Sequence, residues 1–238
     1  MNTDRAFTKG WLLAIPLLLS AGLAGELLRG ADQSPATDGS AASGRRNSPA
    51  VFAGIKRAAA GLAWVGAYGR WHRRDAAAMT EAMEWAVQLD PETLLYWLDG
   101  ARMMAYDVPA WYRDMSMSER AWQQLRREQL AEAIAWLDRG REFHPEQSAL
   151  PIEQAVLWWT VAKNARAAEQ ALAAAQDCAD APWFVARIRA EMLVRLDRPQ
   201  EALALLRAEL PRLDAMNPLA MRAVVEERIR DLSRLAER

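Results

Sequence analysis

Two histidines, one cysteine and scattered carboxylates are the residues here whose types suit proton transfer, metal binding or nucleophilic attack. His72 lies in the basic stretch RWHRRD, and His144 precedes Pro145. They are far apart in sequence. Neither has the His-x-x-x-His spacing that puts two imidazoles on one helical face for a metal. His144 stands at an expected helix end, where an imidazole meets free backbone carbonyls. His72 reads as a C-terminal charge on a helix dipole. Cys178, in QDCADAP, has no neighbouring His in sequence to activate a thiolate. A single Cys allows neither an internal disulfide nor an all-Cys metal site. The chain carries no Gly-rich phosphate loop, no Gly-x-Ser-x-Gly and no dinucleotide fingerprint. Glu226, Glu227 and Asp231 alternate with Arg and read as ion-pair decoration of a solvated helix face. The residues thus name no catalytic group, no cofactor and no metal ligand.

Composition bounds the remaining classes. The chain has 238 residues, of which 52% are hydrophobic and 26% charged, so it can bury a core and is not disordered throughout. At about 150 residues per domain, the length allows one or two domains. The formal net charge of −1 argues against a general nucleic-acid binder. Basic residues are 27 Arg and 3 Lys, a bias that goes with abundant Ala and reads as genomic composition.

Residues 1–29 read as a membrane anchor or signal segment. Arg5 and Lys9 precede an uncharged run, GWLLAIPLLLSAGLAG, from Gly10 to Gly25. A spanning helix needs about 20 apolar residues. A signal peptide needs a shorter apolar stretch and a small-x-small site, which Gly22-x-Ala24 could supply. Apolar residues resume at Leu27 and Leu28, which favours the uncleaved anchor. Under both readings the chain is exported. Arg5 and Lys9 stay cytoplasmic, which predicts a single-pass inner-membrane protein with a periplasmic C-terminal domain. Residues 30–50, GADQSPATDGSAASGRRNSPA, are small, polar and Pro-containing, as in a flexible linker. Its root-mean-square span would be about 25 Å.

Residues 51–238 read as one helical domain. Apolar residues recur at intervals of three and four: Leu130, Ala133, Ile134 and Leu137 share one helical face, as do Ala202, Leu203, Leu206 and Leu210. Asp90-Pro91 and Asn217-Pro218 predict helix starts, each a capping side chain before a Pro at the first helical position. Ser116 and Glu119 have capping-box spacing, and Asp197 and Gln200 a similar one.

A spacing recurs along this domain: a small residue, a large one four later, a small one three later, and often a Pro five after that. Met79, Met83, Ala86 and Pro91 keep it, as do Ala133, Leu137, Gly140 and Pro145. Ala167, Ala171 and Ala174 keep it with small side chains, and Ala202 and Leu206 hold its first two places. With LDRPQEALALL at 196–206, these residues make the chain resemble the tetratricopeptide-repeat superfamily as degenerate copies across roughly residues 60–214. The segment WAVQLDPETLLYWLDGARMMAYDV also resembles the start of membrane-anchored bacterial repeat proteins. The resemblance implies an all-α fold, a right-handed superhelical array of antiparallel helix pairs. Its first helices would line a concave surface, contributing Trp64, Tyr68 and Trp71 from unit one. Leu95, Leu98, Asp99 and Arg102 would come from unit two, Trp159 from unit three and Arg187 from unit four.

Unit two is too long for a regular repeat. Leu94 and Ala133 are thirty-nine apart where nineteen is usual. The excess includes YDVPAWYRDMSMS at 106–118, read as a loop or extended helical turn that breaks the array. Its Trp111 and Tyr112 join the candidate partner-binding residues, since insertions in repeat proteins map to one face, often the binding one. The opposing reading has the segment fold back over a hydrophobic end. The last helix, 218–236, caps the array. The functional expectation is a non-enzymatic scaffold in the inner membrane that binds a protein or peptide outside the cytoplasm, in an envelope assembly or export system. The alternative is an enzyme or accessory subunit acting on glycans or peptides in the periplasm, which needs a convergent acidic or polar site. A weaker third reading makes 106–118 a membrane foot, with Trp111 and Tyr112 at the lipid interface.

Overall fold

The computed structural model describes residues 48–214, 217 and 221–236. The expected anchor, and the expected linker up to residue 47, lie outside the described residues. Among the described residues every regular element is helical: α1 (Ser48–His72), α2 (Ala76–Leu89), α3 (Leu94–Arg102), α4 (Val108–Asp114), α5 (Glu119–Phe143), α6 (Ala149–Thr160), α7 (Ala165–Gln176), α8 (Phe184–Arg195), α9 (Pro199–Glu209) and α10 (Arg222–Ala236). α1 begins three residues inside the stretch read as linker.

Backbone conformation divides these helices into pairs. Arg74, Ser116, Lys163 and Asp197 have φ of 56°, 64°, 55° and 59°. Each sits in the short turn between α1 and α2, α4 and α5, α6 and α7, or α8 and α9. A residue in the left-handed region just past a helix closes its last turn and reverses the chain. A capping side chain follows in three of the four turns. Asp75 accepts from the Ala78 amide at 3.1 Å, Ser118 from Ala121 at 3.4 Å and Asn164 from Ala167 at 3.1 Å. The capping residue of α5 is therefore Ser118 and not Ser116, whose left-handed backbone is part of the turn. Asp90-Pro91 does not start a helix either. Asp90 ends α2, and its carboxylate accepts the Thr93 hydroxyl at 2.7 Å, which delays the next helix to Leu94. Pro218 lies outside the described residues.

Unit two holds no inserted loop. Its extra residues lengthen both helices of the pair. α3 runs through a π-helical turn, Met103–Asp107, straight into α4. The cause is Pro109, which has no N–H to donate to Ala105 and whose ring would strike that carbonyl in a regular α-helix. The Val108 amide instead reaches back to the Met103 carbonyl. Opposite this long helix lies α5, with 25 residues. Val108 and Trp111 are buried in the core of the pair, so the segment is structural.

Two glycines let these helices meet. A Cβ on Gly100 would lie 2.8 Å from the Trp136 indole nitrogen, and one on Gly140 would lie 2.8 Å from Trp97 Cγ. Each tryptophan therefore fills the space above a glycine of the facing helix. Trp136 donates its indole N–H to the Trp97 carbonyl at 3.0 Å, and Trp97 donates to the Pro91 carbonyl at 2.8 Å. His144 Nε2 lies 3.1 Å from that same carbonyl. The imidazole thus has the backbone role its position at a helix end predicts.

Burial follows the expected stripes in most units. Met79, Met83, Ala86, Ala133, Leu137, Ala202 and Leu206 are buried. In unit three the register moves by one residue. Ala171 is buried as expected, but Ala167 and Ala174 are only half-buried, and Ala168, Leu172 and Ala175 take the most buried positions. The Ala-rich run ARAAEQALAAAQ allows both phases, and the shifted one places Leu172 in the large-residue position. Apolar packing continues from α1–α6 to a cluster across α6, α7 and α8, then to one across α8, α9 and α10. Trp158 bridges the first two, packing against both.

Candidate functional site

The first helices of successive pairs lie side by side. Tyr68 on α1 donates to Asp99 on α3 at 3.2 Å. Arg102 on α3 makes a two-pronged contact with Glu153 on α6, at 3.0 and 2.6 Å, and lies 3.5 Å from Asp99. The Tyr106 hydroxyl, one turn further along, meets Thr160 of α6 at 2.6 Å. Arg195 of α8 lies over the Trp159 ring of α6 at 5.1 Å. One face of the molecule is therefore built from α1, α3, α6 and α8.

Chemistry on this face centres on Arg102. Its guanidinium is held between Asp99 and the buried Glu153. The hydrogen bond to Glu153 raises the Arg102 pKa further above its ordinary value. Tyr68 is also raised, first by partial burial and then by the Asp99 charge and hydrogen bond, so its phenol remains a donor at neutral pH. Leu95 on α3, Val156 on α6 and Ile188 on α8 expose apolar side chains, and Leu95 and Val156 stand one helical turn from Asp99 and Glu153. The arrangement can seat apolar side chains and offers fixed carboxylate and guanidinium edges to a polar backbone.

Of the residues expected to bind a partner, the structure gathers Tyr68, Asp99 and Arg102 at this centre. Leu95 is exposed on the same helix. Leu98 is partly buried against the core. Trp159 is half-buried beneath Arg195 and Lys163. Arg187 lies over the Trp183 ring at 5.8 Å. Four aromatics take other roles. Trp64 is 5% exposed and stacks on Tyr96 at 4.7 Å, so it is a core residue. Trp71 donates to Asp107 at 2.7 Å and packs edge-on against Trp111, pinning the π turn. Trp111 is 8% exposed and Tyr112 packs against the core, so neither forms a projecting insertion or a membrane foot. Their types suit a hot spot, but an apolar aromatic on a long paired helix is also what fills a core.

Glu153, Tyr106 and Thr160 were absent from the expected set. Glu153 is 51 residues from Arg102, and no local spacing reports that pairing. Arg102→Met should lower the unfolding free energy by about 1–2 kcal/mol in a urea titration. The value is below that for a fully buried pair because the guanidinium is half-exposed and solvent-screened. A loss below about 0.5 kcal/mol would mean that Glu153 does not depend on this partner.

Elsewhere the buried carboxylate Glu169 is also paired. A cleft of about 370 Å³ is lined by Arg166, Glu169, Gln170, Leu196 and Arg198. Its buried Glu169 contacts Arg189 at 2.8 Å and Arg198 at 3.9 Å. Burial pushes the Cys178 thiol up, and the Asp180 charge adds to this, so the thiolate is disfavoured. No protein-family model matches the chain, and no curated protein matches it.

Proposed function

We propose that this chain is a non-enzymatic scaffold whose first-helix face binds a protein or peptide partner. The supporting observation is the Tyr68–Asp99–Arg102–Glu153 network with exposed Leu95 and Val156 one helical turn from its carboxylates, and Ile188 exposed on α8. Tyr and Arg, here Tyr68 and Arg102, are among the residue types that carry most of the energy in protein recognition. In this reading the helix pairs form a tetratricopeptide-like right-handed array with a concave binding side. Residues 10–28 hold the domain at the inner membrane, and the partner is an envelope protein on the extracytoplasmic side.

The test places a photo-crosslinking amino acid at Leu95 or Val156 in the full-length chain in its native membranes. Ala131, exposed on α5, serves as the control position. The expected result is a reproducible adduct with one envelope protein from Leu95 and Val156 but not from Ala131, weakened by Arg102→Glu. Equal labelling from all three positions, or none from the first-helix face, would overturn the assignment.

A further inference from the structure

The terminal helix of the described array has two apolar faces. One packs inward through Ala60, Trp64 and Ala67. The other points away from every described helix. Val51, Ile55, Leu62 and Val65 lie on it, 47%, 56%, 45% and 47% exposed. Ala58 and Gly69 complete a stripe at intervals of four and three, about 27 Å long at 1.5 Å per residue. By length and composition Ala50–His72 could cross a membrane, with mean hydropathy 1.2. Its inward face is occupied by the core, so the outward face alone is free to meet another phase.

Charge identifies that phase. α1 contains no Asp or Glu, but it carries Lys56 and Arg70, and Arg73 follows it, whereas its Arg57 turns to Asp90 at 3.6 Å. Lys56 lies over the exposed Phe52 ring at 5.0 Å. The Arg70 guanidinium lies along Gly66, since a Cβ there would meet it at 2.9 Å. Apolar side chains flanked by cations on long stems, with no acid, suit a helix lying in the interface of an anionic bilayer. A second copy fits less well. The strip offers roughly 300 Å² at a helix width of about 10 Å, under half of the about 800 Å² per partner of a stable interface. Pairing α1 with itself in either direction also sets cations against cations. We infer that the outward face of α1 lies on an anionic lipid surface, so that the domain is laid against the membrane at one end. The inference rests on the proposed membrane tethering, because residues 10–28 and a linker of about 25 Å reach would bring Ser48 to the bilayer.

The test uses the full chain with Cys178→Ser and a nitroxide label at Leu62→Cys, with Val65→Cys as an independent position and Ala131→Cys as the control. Each is reconstituted into vesicles of phosphatidylcholine with phosphatidylglycerol. The expected result is that Leu62 and Val65 labels collide with oxygen and are shielded several-fold from a water-soluble nickel chelate. The Ala131 label should remain open to the chelate. Replacing Lys56 and Arg70 by Glu should restore chelate access at Leu62. If the protein floats with the vesicles while Leu62 remains in water, the α1 inference fails and tethering stands. If it does not float at all, both fail. Shielding from both oxygen and chelate would mean that protein covers the stripe, a second copy being recognised by spin–spin broadening, and would also overturn the inference.

Discussion

Trp136→Ala should lower the unfolding free energy by about 3–5 kcal/mol, the range for deleting a fully buried large aromatic. Trp136 is 1% exposed, and its indole fills the space left by the missing side chain of Gly100. The cavity would open between α3 and α5, where close approach depends on tryptophan meeting glycine from both sides. Collapse is hindered because Trp97 is itself held against Gly140 and by its bond to Pro91. Trp136→Phe separates the contributions. It keeps most of the apolar volume and loses the bond to the Trp97 carbonyl, so its cost should be nearer 1 kcal/mol plus a small packing loss. Urea unfolding followed by circular dichroism measures both. An alanine variant within about 1 kcal/mol of the parent would show that the glycine–tryptophan interlock does not hold the pair together.

Leu137→Ala should cost about 2–5 kcal/mol. Leu137 is fully buried and belongs to the stripe of Leu130 and Ala133. Neighbouring helical residues point about 100° apart, so Trp136 and Leu137 fill different parts of the interior. Burial at both positions means that α5 is covered on two sides. Urea unfolding of single variants along α5 should therefore show two adjacent sensitive positions. A change below about 0.5 kcal/mol at Leu137 would place the helix in another rotation.

Helical content and most inward stripes were legible along the chain because both depend on short spacings. Leu130, Ala133 and Leu137 return to one side of a helix whatever surrounds them. The Ala-rich segment of unit three was ambiguous for the same reason. When nearly every position is small, three-and-four spacing fits two phases, and only the docked Leu172 selects one. Caps were misplaced at Asp90 and Ser116 because a capping residue type is common in turns as well. Asp90 has its own bond to Thr93, and Ser116 is needed in the left-handed region for the reversal.

The polar cluster around Arg102 was less legible. Tyr68, Asp99 and Arg102 were found from one helix register, but Glu153 completes the group from 51 residues away. The roles of Trp64 and Trp111 went the other way, to the core. Whether an aromatic side chain lines a surface or fills a core depends on what lies above it, and here Tyr96 and Trp71 supply that contact. Periodicity along the chain made this an all-helical protein before any packing was known, because a 3.6-residue repeat is a local property of the backbone. Folding settled the long second pair, the interlock of Gly100 with Trp136 and the apolar stripe exposed on α1. Each of these depends on residues distant in sequence being brought within van der Waals contact, or on no described residue being brought there.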